Sequence, residues 1–288
     1  MTQEGIQRLQ SIQLMIMDEI HRVCLNNNLR YYLIGGSALG AVRHGGMIPW
    51  DIDIDIAMPR KDYEIFVTDK KKQLSDNYEL HDYRTDKQFG TVHALVVLKD
   101  SELLFKSDIK KNRNNRFGIF VDILPLDQWP DDEGLKVRQA KQIRMIGNIR
   151  EYFQGAESSN DSLIKRILKK VLKMILHLKF TQYAINEKQQ LIVSRYYSED
   201  EGKEWCSMLS HYSLEKLTFP KEIFGTPRLF PFSNREFFVP EQVEVYLRQL
   251  FGDYMKEPPI DKQREQMESV YRASWKDDNG VPITIMNY

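Results

Sequence analysis

Cysteine is almost missing: 288 residues contain only Cys24 and Cys206. Two thiols cannot make a disulfide framework, and they lack the paired spacing of a structural zinc site, so a reducing compartment fits the chain. Charge of one sign is missing as well. Forty-one Lys and Arg stand against 41 Asp and Glu, which leaves no global attraction to nucleic acid or an anionic surface; such a partner would need a local patch. No apolar run approaches the ~20 residues that cross a bilayer. The opening MTQEGIQRLQ lacks a basic stretch followed by an apolar one, so the expectation is a cytoplasmic protein with no export signal. Internal repeats and low-complexity tracts are also absent. What remains is ordinary globular usage, 42% hydrophobic and 28% charged, in a chain long enough for one large or two tightly joined domains.

Leu9, Ile12, Ile16, Ile20 and Val23 recur at steps of three and four, the stripe of an amphipathic helix ending near Asn26 to Asn28. Tyr31 to Ile34 then reads as a short strand, Gly35-Gly36-Ser37 as a tight turn, and Ala38 to Arg43 as the start of a short helix. Further on, Lys61 to Lys72 and Gly134 to Ile149 read as helices, His93 to Leu98 and Ile119 to Leu124 as strands. A polar stretch, Gly155 to Asp161, separates this mixed first half from a second half with helical patterns and a Pro-rich segment around Phe219 to Pro240.

The segment DIDIDI, Asp51 to Ile56, alternates strictly. In a strand its aspartates would share one side and its isoleucines the other. Same-face neighbours lie roughly 6.5 to 7 Å apart, so adjacent carboxylates repel unless a cation compensates them, and aspartate is disfavoured in strands. A divalent ion such as Mg²⁺ (or Mn²⁺) answers both problems. The pair would be Asp51 with Asp53 or Asp53 with Asp55, because Asp51 and Asp55 would stand roughly 13 Å apart along a strand. The plain alternative is a solvated polar face.

Three further features could belong to the same chemistry. The Gly35-Gly36-Ser37 turn allows backbone to approach a ligand, and the following helix start can hold a phosphate. Arg43 and His44 lie between that turn and the acidic segment and could meet phosphate oxygens, or simply face solvent. In GIFVDILPLD, Asp122 interrupts an apolar run that reads as a strand buried on both faces, so its carboxylate needs a partner: a metal, a proton-transfer role, or a structural Arg. Asp127, after Pro125, reads as a turn residue. The histidines, His93 and His177 among them, read as packing or surface residues.

The stretch IGGSALGAVRHGGMIPWDIDIDIAMPRKDYEIF, together with GIFVDILPLD and LRQLFGDYMKEPP, resembles the signature of the LicD family, which includes phosphorylcholine transferases and is related to the fukutin-like phosphosugar transferases. The resemblance implies an α+β fold: a nucleotidyltransferase-like mixed β-sheet core over residues 1–155, with a mostly helical C-terminal region, 156–288, packed on it. It implies that Asp53 and Asp55 bind Mg²⁺ with Asp122 as the third carboxylate. Gly35, Gly36 and Ser37 then form the phosphate turn, and Arg43, His44 and Asp51 are further substrate-binding candidates. Where many family members read WDDDID, this chain has Ile52. The implied reaction moves phosphocholine, or a similar substituted phosphate, from a CDP-activated donor to a hydroxyl of a glycan, teichoic acid or lipopolysaccharide precursor. Alternatives are transfer of the nucleoside monophosphate itself and a non-catalytic glycan- or nucleotide-binding protein.

Leu163 to Phe180, LIKRILKKVLKMILHLKF, is a different signal. Apolar residues recur every three to four positions while Lys165, Arg166, Lys169, Lys170 and Lys173 gather on the other face, as in a helix lying on the anionic inner face of a membrane. Asp161 or Ser162 could cap it. Packing of the same apolar face on the core is the competing expectation.

Overall fold

The computed structural model describes residues 1–69, 74–110, 117–154, 162–198, 202–210, 212–277 and 279–287. The expected helix end at Lys70 to Lys72, the polar stretch from Gly155 to Asp161 with its boundary at 155–156, and the Asp161 cap lie outside the described residues.

A mixed sheet forms the centre. Its strands run in the order Tyr32–Leu33, Asp55–Pro59, Phe120–Gln128, Ala94–Leu98 and Tyr78–His81. Asp55–Pro59 and Phe120–Gln128 are parallel, and the other neighbours are antiparallel. Phe120–Gln128 is buried along its whole length, as its apolar sequence dictates for a strand covered on both faces. The first helix, Gln3–Asn26, buries Leu9, Ile16, Ile20 and Val23 against the sheet. Thr2 caps it by accepting from the Gly5 N–H, satisfying one of the free donors of the first turn. Asp132 caps Glu133–Phe153 in the same way.

After residue 162 the chain is more β-rich than its helical patterns suggest. There the described residues contain the helices Leu163–Lys179, Gln182–Val193, Val243–Phe251 and Ile260–Ser269, but also six strands. Glu204–Cys206 joins the end of Phe120–Gln128 and in turn pairs with Thr218–Pro220. The Pro-rich segment holds a hairpin, Arg228–Phe232 with Arg235–Val239. Val270–Lys276 lies between Glu102–Phe105 and Pro282–Met286. Two of these strands, Glu204–Cys206 and Val270–Lys276, take a partner from the first half, and the others pair with strands after residue 162. No described helix is long and apolar enough to cross a membrane.

Asp127 is not in a turn. It sits near the end of the buried central strand, opposite Cys206, and receives both Arg60 Nε and Nη2 at 2.7 Å. The two side chains are 0% and 3% exposed. Arg60 Nη1 donates further to Gln190 Oε1 and Glu64 Oε1, and Gln190 Nε2 donates to the Val92 carbonyl. This bidentate pair ties the helix Arg60–Asp69 and the helix Gln182–Val193 to the sheet. Removing one partner leaves the other charge buried and alone. Asp127→Ala is therefore expected to destabilise the fold by about 3–5 kcal/mol, read as a lower denaturant midpoint with an unchanged slope.

Candidate active site

The strand expected over DIDIDI begins only at Asp55. Residues 51 to 54 have no regular structure, because side chains take the hydrogen bonds that a neighbouring strand would use. Gln10 Nε2, from the first helix, donates to the carbonyls of Ile48 at 2.9 Å and Asp51 at 2.8 Å, and Gln13 Nε2 to that of Ile52 at 2.7 Å. The alternation of faces survives the irregularity: Ile52, Ile54 and Ile56 are buried in the core. The aspartates turn the other way and line one cleft of about 850 Å³.

Asp55 stands directly opposite Asp122 across the parallel pair of strands, so Asp122 also faces the cleft. Burial, first of all, pushes the Asp53 and Asp55 carboxyls well above the ordinary carboxylate range. The charges of Asp51, Asp55 and Asp122 add to the rise at Asp53, and those of Asp122 and Asp51 at Asp55. Burial raises Asp51 too, against hydrogen bonds from Asp53, the Ile52 N–H and Gln266. Residues 51 to 54 lie outside a regular strand, and the Asp51 charge acts on Asp55.

Each remaining candidate has a definite place. Gly35 adopts φ +53° at the start of the helix Gly35–His44, so the glycines form the first helical turn rather than a turn before it. The Gly35 N–H donates to the Tyr246 hydroxyl at 2.9 Å. A Cβ on Gly36 would lie 2.6 Å from Asp51 Oδ2, so only glycine permits this approach. Both glycines line the cleft, at the end of the helix where peptide dipoles favour anions. Ser37 does not line it. Its buried Oγ instead accepts from the Asp55 N–H at 2.9 Å and fixes the start of the acidic strand.

Arg43 lies in the cleft wall, with Nη1 donating to the Tyr254 carbonyl at 2.9 Å and its guanidinium 5.9 Å from the centre of the Trp50 ring. His44 is turned away, 3.4 Å from Glu257 and edge-on to Trp50. Burial and the neighbouring Arg43 charge lower the His44 pKa.

His93 contradicts its sequence reading as a packing or surface residue. Its Nε2 lies 2.6 Å from Asp122 Oδ1, and it lines the cleft. This is a partner of the kind that the buried position of Asp122 requires. The signal was a lone histidine at the head of an apolar strand, but only the strand pairing shows that it meets Asp122. Tyr246, Tyr254 and Gln266 were also missed, all from the last fifth of the chain; Gln266 Nε2 donates to Asp51 Oδ1. His177 does pack, stacked on Phe153 with ring centres 3.9 Å apart.

Among the described residues, no three His, Cys, Asp or Glu side chains form a ready metal cluster. The donors that face the cleft are nonetheless hard carboxylate oxygens, and the leading charges acting on Asp53 and Asp55 are all other carboxylates. That chemistry fits Mg²⁺, which takes one or two carboxylates and completes its shell with phosphate oxygens and water rather than an all-protein cage.

The profile of the LicD/FKTN/FKRP nucleotidyltransferase domain matches residues 28–144, the span that carries the acidic segment, His93 and Asp122. The lipopolysaccharide cholinephosphotransferase LicD of Haemophilus influenzae is 26% identical over 265 residues, covering 88% of this chain and 93% of that protein. An uncharacterised Rickettsia prowazekii protein is 43% identical over 117 residues, 40% of this chain and 39% of its own length. Human ribitol 5-phosphate transferase FKRP shares 56% identity over a segment of 34 residues, 12% of this chain and 7% of its own. The acidic cleft is thus built by a span, residues 28–144, that matches the LicD/FKTN/FKRP nucleotidyltransferase domain, and the chain is similar to LicD over most of its length.

Proposed function

We propose that this LicD-type enzyme transfers phosphocholine, or a closely similar substituted phosphate, from a CDP-activated donor to a hydroxyl of a glycan, with a teichoic acid or lipopolysaccharide precursor as acceptor. The observation that carries the reading is the meeting of Asp53, Asp55 and Asp122 beside a glycine-rich helix start in one cleft. Relatives named as a cholinephosphotransferase and a ribitol 5-phosphate transferase support a phosphate-linked group moving to a sugar. A cytoplasmic setting, where nucleotide-activated donors are made, completes the proposal.

The carboxylates of Asp53 and Asp55 are the residues that would hold Mg²⁺ (or Mn²⁺), whose charge offsets the donor diphosphate and the leaving nucleotide phosphate. Gly35 lets the donor phosphates approach the helix start without a side chain in the way, while Gly36 makes room for Asp51. Arg43, braced by the Tyr254 carbonyl and Trp50, presents its remaining N–H groups to phosphate oxygens. Asp122, oriented through Oδ1 by His93, takes the proton of the acceptor hydroxyl as its oxygen attacks phosphorus and the nucleotide departs. Asp51 positions Asp53 and the first turn of the helix.

A donor screen reading released nucleotide tests the reaction. Mg²⁺-dependent CMP release from CDP-choline in the presence of a glycan acceptor is the expected result. Release of pyrophosphate instead would assign nucleoside monophosphate transfer, and no release from any CDP, CTP or related donor would leave a binding protein.

Asp53→Asn and Asp55→Asn should each lower turnover by roughly 100-fold or more, since a carboxamide cannot replace the charge that holds the ion. Both should also raise the melting temperature without Mg²⁺, because they relieve repulsion between buried carboxylates, and should lose the Mg²⁺-dependent gain. The parent protein should show a linked pH effect. Folding raises these pKa values, so the folded state binds more protons than the unfolded chain between the ordinary carboxylate pKa and the raised one. Stability then falls as pH rises through that window, and Mg²⁺ should restore it. Thermal melts across pH with and without Mg²⁺ check both statements.

His93→Ala is expected to cost about 10- to 100-fold in kcat with little change in KM for the donor, because it frees the Asp122 carboxylate from its set orientation. His93→Gln, which can still donate to Asp122, should recover part of the loss. Equal effects on KM and kcat would make His93 a donor-binding residue instead.

A further inference from the structure

The helix Leu163–Lys179 carries its apolar side outward. Ile167, Leu168, Val171, Met174, Ile175 and Leu178 recur at steps of one and three and are all exposed, Leu168 at 63% and Leu178 at 80%. A surface helix ordinarily turns such a stripe to the core. Here the other side meets the body of the protein: Leu176 is buried, His177 stacks on Phe153, and the Lys169 ammonium lies 5.9 Å from the centre of the Tyr152 ring. The core-packing expectation for this face is therefore not met.

Two occupants could cover the stripe, a lipid surface or the same helix of a second copy. Charge separates them. Residues 163 to 180 contain six Lys and Arg and no Asp or Glu. Pairing two copies would set one cationic flank against another, whereas an anionic lipid surface would neutralise both. A cleft beside the helix, lined by Lys87, Lys173 and His177 among others, adds to the local positive potential in a chain whose net charge is zero.

We propose that this helix docks the protein on an anionic membrane surface, with its apolar stripe in the headgroup and acyl boundary and the positive field of its basic residues drawing it to the phosphates. The position has a consequence for the active site. Arg150 lines the acidic cleft, while Tyr152 and Phe153, within one turn of it on the helix Glu133–Phe153, hold the docking helix. A lipid-linked acceptor lying in that membrane would be presented beside the carboxylates; this last step rests on the proposed transfer reaction, but the docking itself does not.

Co-sedimentation of the full chain with vesicles of phosphatidylcholine, with and without phosphatidylglycerol, tests the docking. Binding is expected only with phosphatidylglycerol, weakening as salt shortens the Debye length from about 10 Å at 0.1 M to about 3 Å at 1 M. One basic residue near such a surface contributes about fivefold, so the double variant Lys173→Glu, Lys179→Glu should bind at least roughly 25-fold more weakly. Leu168→Ser with Leu178→Ser, at exposed positions that leave the fold intact, should also lose binding. Equal binding to neutral vesicles, no binding to either, or a dimer in light scattering that Leu168→Ser with Leu178→Ser dissolves would overturn the proposal. Nucleotide release with a water-soluble acceptor needs no lipid, so failure of docking and failure of the transfer reading are separately visible.

Discussion

Mutual repulsion among Asp51, Asp53, Asp55 and Asp122 is the constraint to which the rest of the site is fitted. Neutral hydrogen-bonding side chains hold the segment in place. Ser37 receives the Asp55 N–H, Gln266 reaches Asp51, and Gln10 and Gln13 hold the intervening backbone. These contacts fix carboxylate positions without cancelling the charge. Such repulsion between buried carboxylates costs local stability, the usual exchange of stability for function.

The central strand Phe120–Gln128 shows the contrast within a few residues. Asp127 is fully buried, answered by the two-pronged guanidinium of Arg60, and closed to solvent. Asp122, five residues earlier on the same strand, is answered by a single imidazole nitrogen and opens to the cleft. The first arrangement neutralises a charge to hold elements together. The second keeps a carboxylate oriented with one oxygen still available, which is what a proton acceptor or metal ligand needs. Two aspartates on one strand thus serve two purposes, and the partner and the opening to the cleft decide which.

The last fifth of the chain completes a site whose charged floor comes from the first half. Tyr246 accepts from the first N–H of the glycine-rich helix, the carbonyls of Tyr254 and Lys256 accept from Arg43, and Gln266 steadies Asp51. The segment LRQLFGDYMKEPP therefore forms part of the cleft wall.

The sequence by itself determined the first helix, the alternation that buries Ile52, Ile54 and Ile56 away from the aspartates, and the need of Asp122 for a partner, because periodicity and the cost of burying a charge are local and additive. It also determined that residues 163 to 180 form a helix with separated apolar and basic sides. Tertiary structure alone decided that the partner of Asp122 is His93, that Asp127 belongs to Arg60, that Ser37 braces the acidic strand, and that the apolar side of the basic helix faces outward. It also joined strands after residue 162, where the sequence showed helical patterns, to the sheets of the first half. Each of these depends on a contact between residues far apart in the chain, and neither residue type nor spacing encodes which of several distant donors, strands or surfaces will arrive.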